Sequence, residues 1–330
     1  MTAFWARNRL IVLAYAAMLV LLLVTSLFSP GFLAESNLRS VVVLAAFVGI
    51  VAFGQTFVII GGGIDLSLPW VLNCAAILMT AFAGGQDVAL LWLVPLLLAA
   101  GAVIGLLNGV GVAVFGVPPI IMTLATNVIL QGLILVYTGG APTPTAPPLI
   151  QFLAVGRLGP VPVVALIWAV LASIAWVLLS RAAFGRYLYA LGTSRTVAEY
   201  SGVPTLRTAV LTYVISGAGA ALGGMLLTGY SGQAYLGMGD PYLFTSIAAV
   251  AIGGASILGG SGHYVGTIAG ALVLTVLGGL LPALRLSSGA LLVVYGAVIL
   301  LTVAVGSESF GGIAAAILRR RRGQDPAPRK

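Results

Sequence analysis

Lysine, cysteine, histidine and acidic residues are all scarce in this sequence. The only lysine is Lys330, and a phosphate-binding P-loop requires a lysine, so the chain contains no nucleotide-hydrolysing site of that kind. The single cysteine, Cys74, excludes an intrachain disulfide and any metal site built from several cysteines. The single histidine, His263, excludes a histidine-rich site. We therefore predict no catalytic residue, no metal and no cofactor in the chain itself.

Charge is also scarce, since only 7% of the 330 residues are charged and 60% are hydrophobic. A soluble domain carries about 25% charged residues, so this chain lacks the polar surface of a water-soluble particle. Its basic residues are scattered, apart from the run Arg319–Arg322, and are not gathered on one folded domain. This distribution does not indicate nucleic-acid binding. We predict an all-α integral membrane protein with one transmembrane domain over residues 1–330.

Ten apolar runs without a charged residue are long enough to cross a bilayer as helices, which takes about 20 residues. Because the runs are continuous and do not alternate with polar residues, helices are predicted and not a β-barrel. The runs are Leu10–Phe28, Val41–Ile60, Leu66–Gly85, Val88–Val114, Ile120–Tyr137, Val163–Leu179, Thr208–Gly229, Leu243–Leu258, Val265–Leu281 and Gly289–Val305.

The distribution of basic residues predicts the orientation of these ten spans. If both termini are cytoplasmic, twelve of the fifteen basic residues lie on the cytoplasmic side, and only Arg39, Arg157 and Arg285 lie outside. Cytoplasmic loops carry the excess of Lys and Arg in membrane proteins. We therefore predict cytoplasmic N- and C-termini, with a flexible tail over residues 306–330.

One polar loop, residues 180–207, interrupts the apolar sequence and contains four arginines together with Glu199. Such a loop must lie in water, and its arginines place it in the cytoplasm. Asp65 is the one acid predicted near the membrane core, whereas ion-coupled carriers generally use intramembrane acids or histidines. This combination indicates that energy for transport comes from a protein that binds this loop.

Four blocks of sequence resemble one known family, the bacterial ABC-transporter permeases of the ribose and other sugar class. The similarity extends from about Pro30 to Val305, although Pro69-Trp70 departs from the family pattern and two acids of that pattern are absent from Leu243–Ala248. The blocks are TFVIIGGGIDLSL (Thr56–Leu68), GVPPIIMTLAT (Gly116–Thr126), FGRYLYALGTSRTVAEYSGV (Phe184–Val203) and SIAAVAIGGASILGGSGHYVGTIAGALVL (Ser246–Leu274).

This resemblance implies a type II importer-like permease fold in the bacterial inner membrane. It implies a second permease copy or a paralogue as partner, two cytoplasmic ATPase subunits that bind ATP and Mg²⁺, and an extracytoplasmic solute-binding protein that delivers a sugar. It also implies a coupling helix at about Thr196–Ser201, ended by Gly202-Val203-Pro204. The candidate coupling residues are Arg186, Ala198, Glu199, Ser201 and Gly202.

Polar residues within the apolar runs are the candidates for the solute pathway. Asp65, with Ser67, is predicted either to cap a helix that begins near Leu66 or to contact the solute directly. Amides donate and accept hydrogen bonds, which suits a polyhydroxy solute, but amides at membrane depth also join neighbouring helices. The candidates are Gln55, Asp65, Ser67, Asn108, Asn127 and Gln131.

Three alternatives remain open from the sequence. The first is an ABC permease for branched-chain amino acids. The second is a ten-helix ion-coupled transporter of the drug/metabolite type, in which Asp65 would have to carry the coupling ion. The third is an accessory membrane subunit without a pathway, which is distinguished by whether the intramembrane amides converge on one place.

Overall fold

A computed structural model describes residues 2–29, 31–140, 144–284, 289–290, 292–297 and 300 of the chain. Across these residues the chain is almost entirely helical, and a two-stranded hairpin is the one sheet that they form. Seven of the helices are long and apolar enough to cross a membrane. The prediction of an all-α membrane protein from composition is therefore confirmed.

Twelve α-helices, one 3₁₀ turn and two short strands follow one another along the chain up to Ala283. The two strands pair in an antiparallel hairpin. The predicted tail, residues 306–330, lies outside the described residues. The elements are α1 (Thr2–Phe28), α2 (Glu35–Ile60), α3 (Leu68–Ala83), the 3₁₀ turn Asp87–Ala89, α4 (Leu90–Ala113), α5 (Pro119–Thr138), α6 (Pro148–Val155), β1 (Arg157–Leu158), β2 (Val161–Pro162), α7 (Val163–Ser180), α8 (Ala183–Thr193), α9 (Arg195–Tyr200), α10 (Thr205–Ser231), α11 (Tyr242–Ile252) and α12 (Tyr264–Ala283).

Two of the helices that correspond to predicted spans are shorter than a span. α3 has 16 residues and α11 has 11, which at 1.5 Å per residue gives lengths of about 24 Å and about 17 Å. The hydrocarbon core of a bilayer is about 30 Å thick, so Leu66–Gly85 and Leu243–Leu258 are broken segments. The run Gly289–Val305 is described only in part, and its described residues are helical. The count of ten spans stays a prediction.

The first break, residues 61–67, separates α2 from α3 and begins with three consecutive glycines. The N–H of Gly61 bonds to the Phe57 carbonyl oxygen at 3.0 Å and ends α2. Gly62 then takes a φ of +82°, a left-handed conformation that glycine adopts readily because it has no Cβ atom. Pro69 lies in the first turn of α3, where its missing N–H costs no helical hydrogen bond.

α10 is the central helix, and its neighbours approach it through small residues. A Cβ atom on Gly105 of α4 would lie 2.1 Å from the Tyr213 carbonyl oxygen of α10. On α2, a Cβ atom on Gly54 would lie 2.2 Å from the Ser216 Cα atom. Glycines at these crossings allow the backbones to pack closely, which is a main source of helix association in a bilayer. The middle of α10 is therefore held between α2 and α4.

The second break, residues 232–241, separates α10 from α11 and contacts the start of α3. A Cβ atom on Gly239 in this break would lie 2.2 Å from the Pro69 carbonyl oxygen. From this contact, α3 runs toward the loop ahead of α6, where Gly85 comes close to Thr145. We call this the α6 end of the molecule, and the opposite end, which carries α8 and α9, the α8–α9 end.

The two helix-break-helix units, α2–α3 and α10–α11, run in opposite directions. α2 is antiparallel to α10, since Gly54 meets Ser216 whereas the earlier residue Val51 meets the later residue Gly223. The loop that follows α11 packs on Ile60, the last residue of α2, so α11 runs toward the α8–α9 end. The starts of α3 and α11 therefore lie close together, and the two helices run from there toward opposite ends of the molecule.

Candidate functional site

Asp65 is the charged residue of the first break, and it is buried with only 1% of its surface exposed. Its Oδ1 atom accepts hydrogen bonds from the Ser67 N–H at 3.0 Å and from the Ser67 hydroxyl at 2.6 Å. α3 begins at Leu68 and not near Leu66, and Ser67 is its N-cap residue without a side-chain cap. Asp65 therefore orients the N-cap residue and does not itself cap the first turn.

The hydrogen-bond network of Asp65 continues through Ser67 to α4. The Asn108 side-chain amide donates to the Ser67 hydroxyl at 2.8 Å, and the Asn108 carbonyl oxygen accepts from the Thr126 hydroxyl of α5 at 2.6 Å. Also on α5, the Thr123 hydroxyl accepts from the Leu66 N–H at 3.0 Å. Three of the predicted pathway residues, Asp65, Ser67 and Asn108, thus belong to one network.

Thr123 and Thr126 were missed by the sequence analysis, although a signal for them was present. They are three residues apart on α5, and residues at that spacing lie on the same helix face. Hydroxyls within an apolar helix usually bond to their own backbone, and both residues also do so here. Their contact with the first break depends on how α5 is placed against α4, which spacing alone does not reveal.

Several buried polar atoms near Asp65 have no hydrogen-bond partner among the described residues. They include Asp65 Oδ2 and the hydroxyl oxygens of Tyr213 and Ser216 on α10. Tyr213 and Ser216 are close enough to interact with the Asp65 carboxylate, but their hydroxyls do not reach hydrogen-bonding geometry. A buried polar group without a partner costs about 1–3 kcal/mol, so water or a bound solute is its usual partner. The sequence analysis missed both α10 residues.

Gln55 of α2 belongs to the same region by its position on the helix. It is fully buried, and neither atom of its side-chain amide has a partner among the described residues. Val51 and Val58, four residues before it and three residues after it, share its helix face. Val51 packs on Gly223 of α10, and Val58 packs on Gly63 of the first break. The Gln55 amide therefore lies buried on a face of α2 that packs on α10 at Val51.

Asn127 and Gln131 were also predicted to line the pathway, but the structure does not join them to this network. They lie four residues apart on one face of α5, and both are half-buried. Among the described residues, no side-chain hydrogen bond links either of them to Asp65, Ser67 or Asn108, and the Asn127 carbonyl oxygen has no partner. The rest of α5 is largely exposed, so that other surface, and not the Asn127–Gln131 face, is available to a second chain.

A cleft of about 410 Å³ opens between the first break and the α8–α9 end. Gly61–Gly63, Pro118, Thr193, Arg195 and Tyr213 are among the residues that line it. Arg195 extends along its edge and donates a hydrogen bond to the Ala113 carbonyl oxygen at 3.0 Å. Tyr213 takes part in both regions, since it lines the cleft and also faces Asp65. Tyr213 therefore borders both the Asp65 region and the cleft.

The helix predicted at about Thr196–Ser201 is α9, Arg195–Tyr200. It ends in a Schellman motif, in which the Val203 N–H bonds to the Ala198 carbonyl oxygen at 3.0 Å and the Gly202 N–H bonds to the Glu199 carbonyl oxygen at 3.0 Å. Gly202 takes the left-handed φ of +76° that this motif requires. The predicted stop at Gly202 is therefore confirmed.

The exposed surface of α9 differs from the one expected. Ala198 is buried, with 3% exposed, because its side chain packs against the bundle. Val197 and Tyr200 are instead exposed, at 63% and 90%, and a docking partner would meet these two side chains first. Arg186 on α8 and Ser201 at the end of α9 are also exposed.

Glu199 is tied to its surroundings by two hydrogen bonds. Its Oε1 atom accepts from Arg195 Nε at 3.0 Å and from the Thr205 hydroxyl at 2.9 Å. These bonds, with the Arg195 bond first, hold the pKa of Glu199 below its usual range. Through Thr205, the first residue of α10, the carboxylate links α9 to the central helix.

His263 has a structural arrangement at the start of α12. Its Nδ1 atom accepts from the Val265 N–H at 3.1 Å, so the proton lies on Nε2, which is 2.9 Å from the Ser180 hydroxyl at the end of α7. Burial lowers the pKa of His263. The ring is therefore neutral at pH 7 and joins α7 to α12.

Comparison with known proteins gives a consistent family assignment. The family model described as "Branched-chain amino acid transport system / permease component" matches residues 37–303. The ribose import permease protein RbsC of Bacillus subtilis is 37% identical over 88% of this chain and 90% of its own length, and RbsC of Escherichia coli K12 is 35% identical over 88% and 92%.

A second group of relatives is named for a different solute. The autoinducer 2 import system permease protein LsrD of Yersinia enterocolitica is 36% identical over 67% of this chain and 68% of its own length. No solved structure shows a significant match to the chain. The resemblance to sugar-class permeases stated from the four sequence blocks is confirmed by the RbsC relatives. The chain belongs to the branched-chain amino acid transport system permease family, as a multi-pass permease of the bacterial inner membrane.

Proposed function

We propose that this chain forms the transmembrane pathway of an ABC importer for a monosaccharide or a related polyhydroxy solute. One observation carries the proposal, namely the buried network around Asp65 at a helix break, where several polar atoms still lack partners. Helix breaks at membrane depth are tolerated where they line a cavity, and transporters build solute sites at such breaks.

The chemistry of this network favours a neutral polyhydroxy solute over a branched-chain amino acid. The groups that bond to Asp65 or face it are the hydroxyls of Ser67, Tyr213 and Ser216 and, one step further, the Asn108 amide. Hydroxyls and amides both donate and accept hydrogen bonds, as sugar hydroxyls do. An amino acid would also need a partner for its carboxylate, and this set contains no cation. The RbsC relatives import ribose by name, which supports the same choice.

The proposal includes the topology and partners implied by the family. Ten spans, cytoplasmic termini and a type II importer-like arrangement would place the α8–α9 end in the cytoplasm, where α9 docks on an ATPase that binds ATP and Mg²⁺. An extracytoplasmic binding protein would deliver the solute at the α6 end. A second permease copy or a paralogue would pack on the exposed face of α5.

Uptake into proteoliposomes tests the proposal. The permease is reconstituted with its ATPase and binding protein, and uptake of radiolabelled D-ribose and L-leucine is measured with and without ATP. We expect ATP-dependent uptake of D-ribose and none of L-leucine. Uptake of L-leucine alone would identify an amino-acid permease, and uptake of D-ribose driven by an ion gradient without ATP would identify an ion-coupled carrier.

A further inference from the structure

The second break, like the first, carries an acid shortly before its broken helix. Asp65 lies three residues before α3, and Asp240 lies two residues before α11. Each is followed by a proline at the start of the helix, Pro69 in α3 and Pro241 at the N-cap of α11. The two helix-break-helix units run in opposite directions, and each has its acid just before its broken helix. Inverted units of this kind form solute sites where their broken helices meet.

The backbone beside Asp240 packs on the first turn of α3, since a Cβ atom on Gly239 would lie 2.2 Å from the Pro69 carbonyl oxygen. The indole of Trp70, in the first turn of α3, is close enough to interact with the Asp240 carboxylate. Gly237 leaves room for that carboxylate, because a Cβ atom there would lie 2.9 Å from Asp240 Oδ2. Trp70 is buried and Asp240 is exposed. The carboxylate therefore lies on the exposed side of the contact between the second break and α3.

Asn73 adds a buried acceptor at this contact. Its Nδ2 atom donates to the Pro69 carbonyl oxygen at 3.1 Å, and Gly239 of the second break packs on that same carbonyl group. The Asn73 side chain is fully buried, yet its carbonyl oxygen Oδ1 has no hydrogen-bond partner among the described residues. An acceptor held in this way requires a donor, which a solute hydroxyl or a water molecule would supply.

The second break also carries an exposed aromatic ring. The ring of Tyr235, also in the second break, is 54% exposed and is near Tyr242 at the start of α11. Sites for small ligands combine exposed aromatic rings with a few polar groups in this manner. A carboxylate and an amide oxygen accept bonds from hydroxyl donors, whereas the negative charge of Asp240 opposes an anionic ligand.

We propose that Asp240, Trp70, Asn73 and Tyr235 form a second solute subsite, which binds a neutral polyhydroxy solute before it reaches Asp65. The subsite lies further along α3 toward the α6 end than Asp65 does. A solute arriving from that end therefore meets the exposed Asp240 first and the buried Asp65 afterwards. This inference rests on the proposed importer function, but it concerns a separate set of residues.

ATP-dependent uptake of D-ribose by the reconstituted importer tests the subsite. Asp240→Asn preserves the shape of the side chain but removes its charge and replaces one acceptor oxygen by an NH₂ donor, so a solute hydroxyl that donates to that oxygen loses its partner. We expect uptake to fall about tenfold, as loss of a hydrogen bond to a charged group would cause. Asp240→Glu should restore much of the uptake. Glu35→Gln, an exposed acid at the start of α2, is the control and should transport as the wild type does.

A binding measurement separates a solute contact from a structural effect. Cys74 is the single cysteine, so Cys74→Ala combined with Tyr235→Cys gives one reactive thiol at the subsite. We expect D-ribose at high concentration to slow labelling of this thiol by a water-soluble thiol reagent, and L-leucine to leave the rate unchanged. Adding Asp240→Asn should remove the protection by D-ribose.

The outcomes distinguish the two proposals. Uptake of L-leucine without any uptake of D-ribose by the wild-type importer overturns the proposed function and this subsite together. Normal uptake by both Asp240→Asn and Glu35→Gln overturns the subsite alone. Slow uptake by Asp240→Asn without any protection of the Tyr235→Cys thiol by D-ribose also overturns it, because Asp240 would then act on the fold and not on the solute.

Discussion

The side-chain amide of Asn108 donates a hydrogen bond to the Ser67 hydroxyl at 2.8 Å, and this bond joins α4 to the first break. Asn108 is fully buried, and its carbonyl oxygen is used by Thr126. The amide thus positions both the break and α5 with one side chain. A buried network of this type is sensitive to the loss of a single member, because the remaining groups stay buried without partners.

Replacement of Asn108 by leucine should reduce uptake strongly. The substitution keeps a similar size but leaves the hydroxyls of Ser67 and Thr126 without this partner, at a cost of about 1–3 kcal/mol per buried group. We expect about a tenfold loss of D-ribose uptake or more, with the protein still in the membrane. Leu107→Ala, at an exposed neighbouring position, is the control and should transport normally. Normal uptake by Asn108→Leu would contradict a role for the network.

Substitutions of Asp65 should separate hydrogen bonding from titration. Asn also offers an Oδ1 acceptor to the Ser67 N–H and hydroxyl, so Asp65→Asn should retain most of the ATP-driven uptake. Asp65→Leu removes the acceptor and should abolish uptake. At fixed ATP, a protonophore should have no effect on the wild type. If Asp65→Asn abolishes uptake and a protonophore does so in the wild type, Asp65 is a proton carrier and the importer mechanism is wrong.

Cysteines on α9 should report the docking surface for the ATPase. Val197 and Tyr200 are exposed and Ala198 is buried, so Val197→Cys and Tyr200→Cys should cross-link to a co-purified ATPase, whereas Ala198→Cys should not. The cross-linked species is measured by gel electrophoresis with an antibody to the ATPase. Efficient cross-linking from Ala198→Cys alone would show that α9 presents its opposite face.

Two glycines within helices should respond differently to substitution by alanine. A Cβ atom on Gly105 would lie 2.1 Å from the Tyr213 carbonyl oxygen, whereas a Cβ atom on Gly132 of α5 meets nothing within 4 Å. Overpacking costs about 1–3 kcal/mol, so Gly105→Ala should lower the melting temperature of the purified protein. Gly132→Ala should leave it unchanged or raise it, since alanine favours a helix by about 1 kcal/mol. Equal melting temperatures for the two variants would rule out the close crossing of α4 and α10.

The stability of the protein should depend on pH through His263. Burial lowers the pKa of this histidine in the folded state, so the unfolded chain binds more protons and stability rises with pH. The contribution is fully present above the unfolded pKa of about 6.5 and is lost as pH falls through the window below it. Melting temperatures of the wild type should fall between pH 7 and pH 5, and His263→Gln should reduce that slope. An unchanged slope in His263→Gln would place the titrating group elsewhere.

The sequence determined the membrane class, the extent of most helices and the family. Long uncharged runs cannot be solvated as a soluble fold, and they leave helices as the regular structure with all backbone bonds satisfied. The end of α9 was also predictable, because a helix stop at Gly202 is a local property of backbone conformation. Asp65, Ser67 and Asn108 stood out as polar residues in apolar runs, and they do lie together.

Only the tertiary structure showed that α3 and α11 are too short to span a bilayer core. It also showed that the start of α3 contacts the loop before α11, where Gly239 packs on Pro69. An apolar run has the same composition whether it crosses the membrane or turns back inside it, so hydropathy does not separate the two cases. The sequence analysis likewise missed Tyr213, Ser216 and Asn73. The role of a polar side chain in an apolar helix depends on the residues that surround it, and the sequence does not show these. Close helix crossings, such as the contact of Gly105 with Tyr213, determine which residues a side chain faces, because they bring together residues distant in the chain.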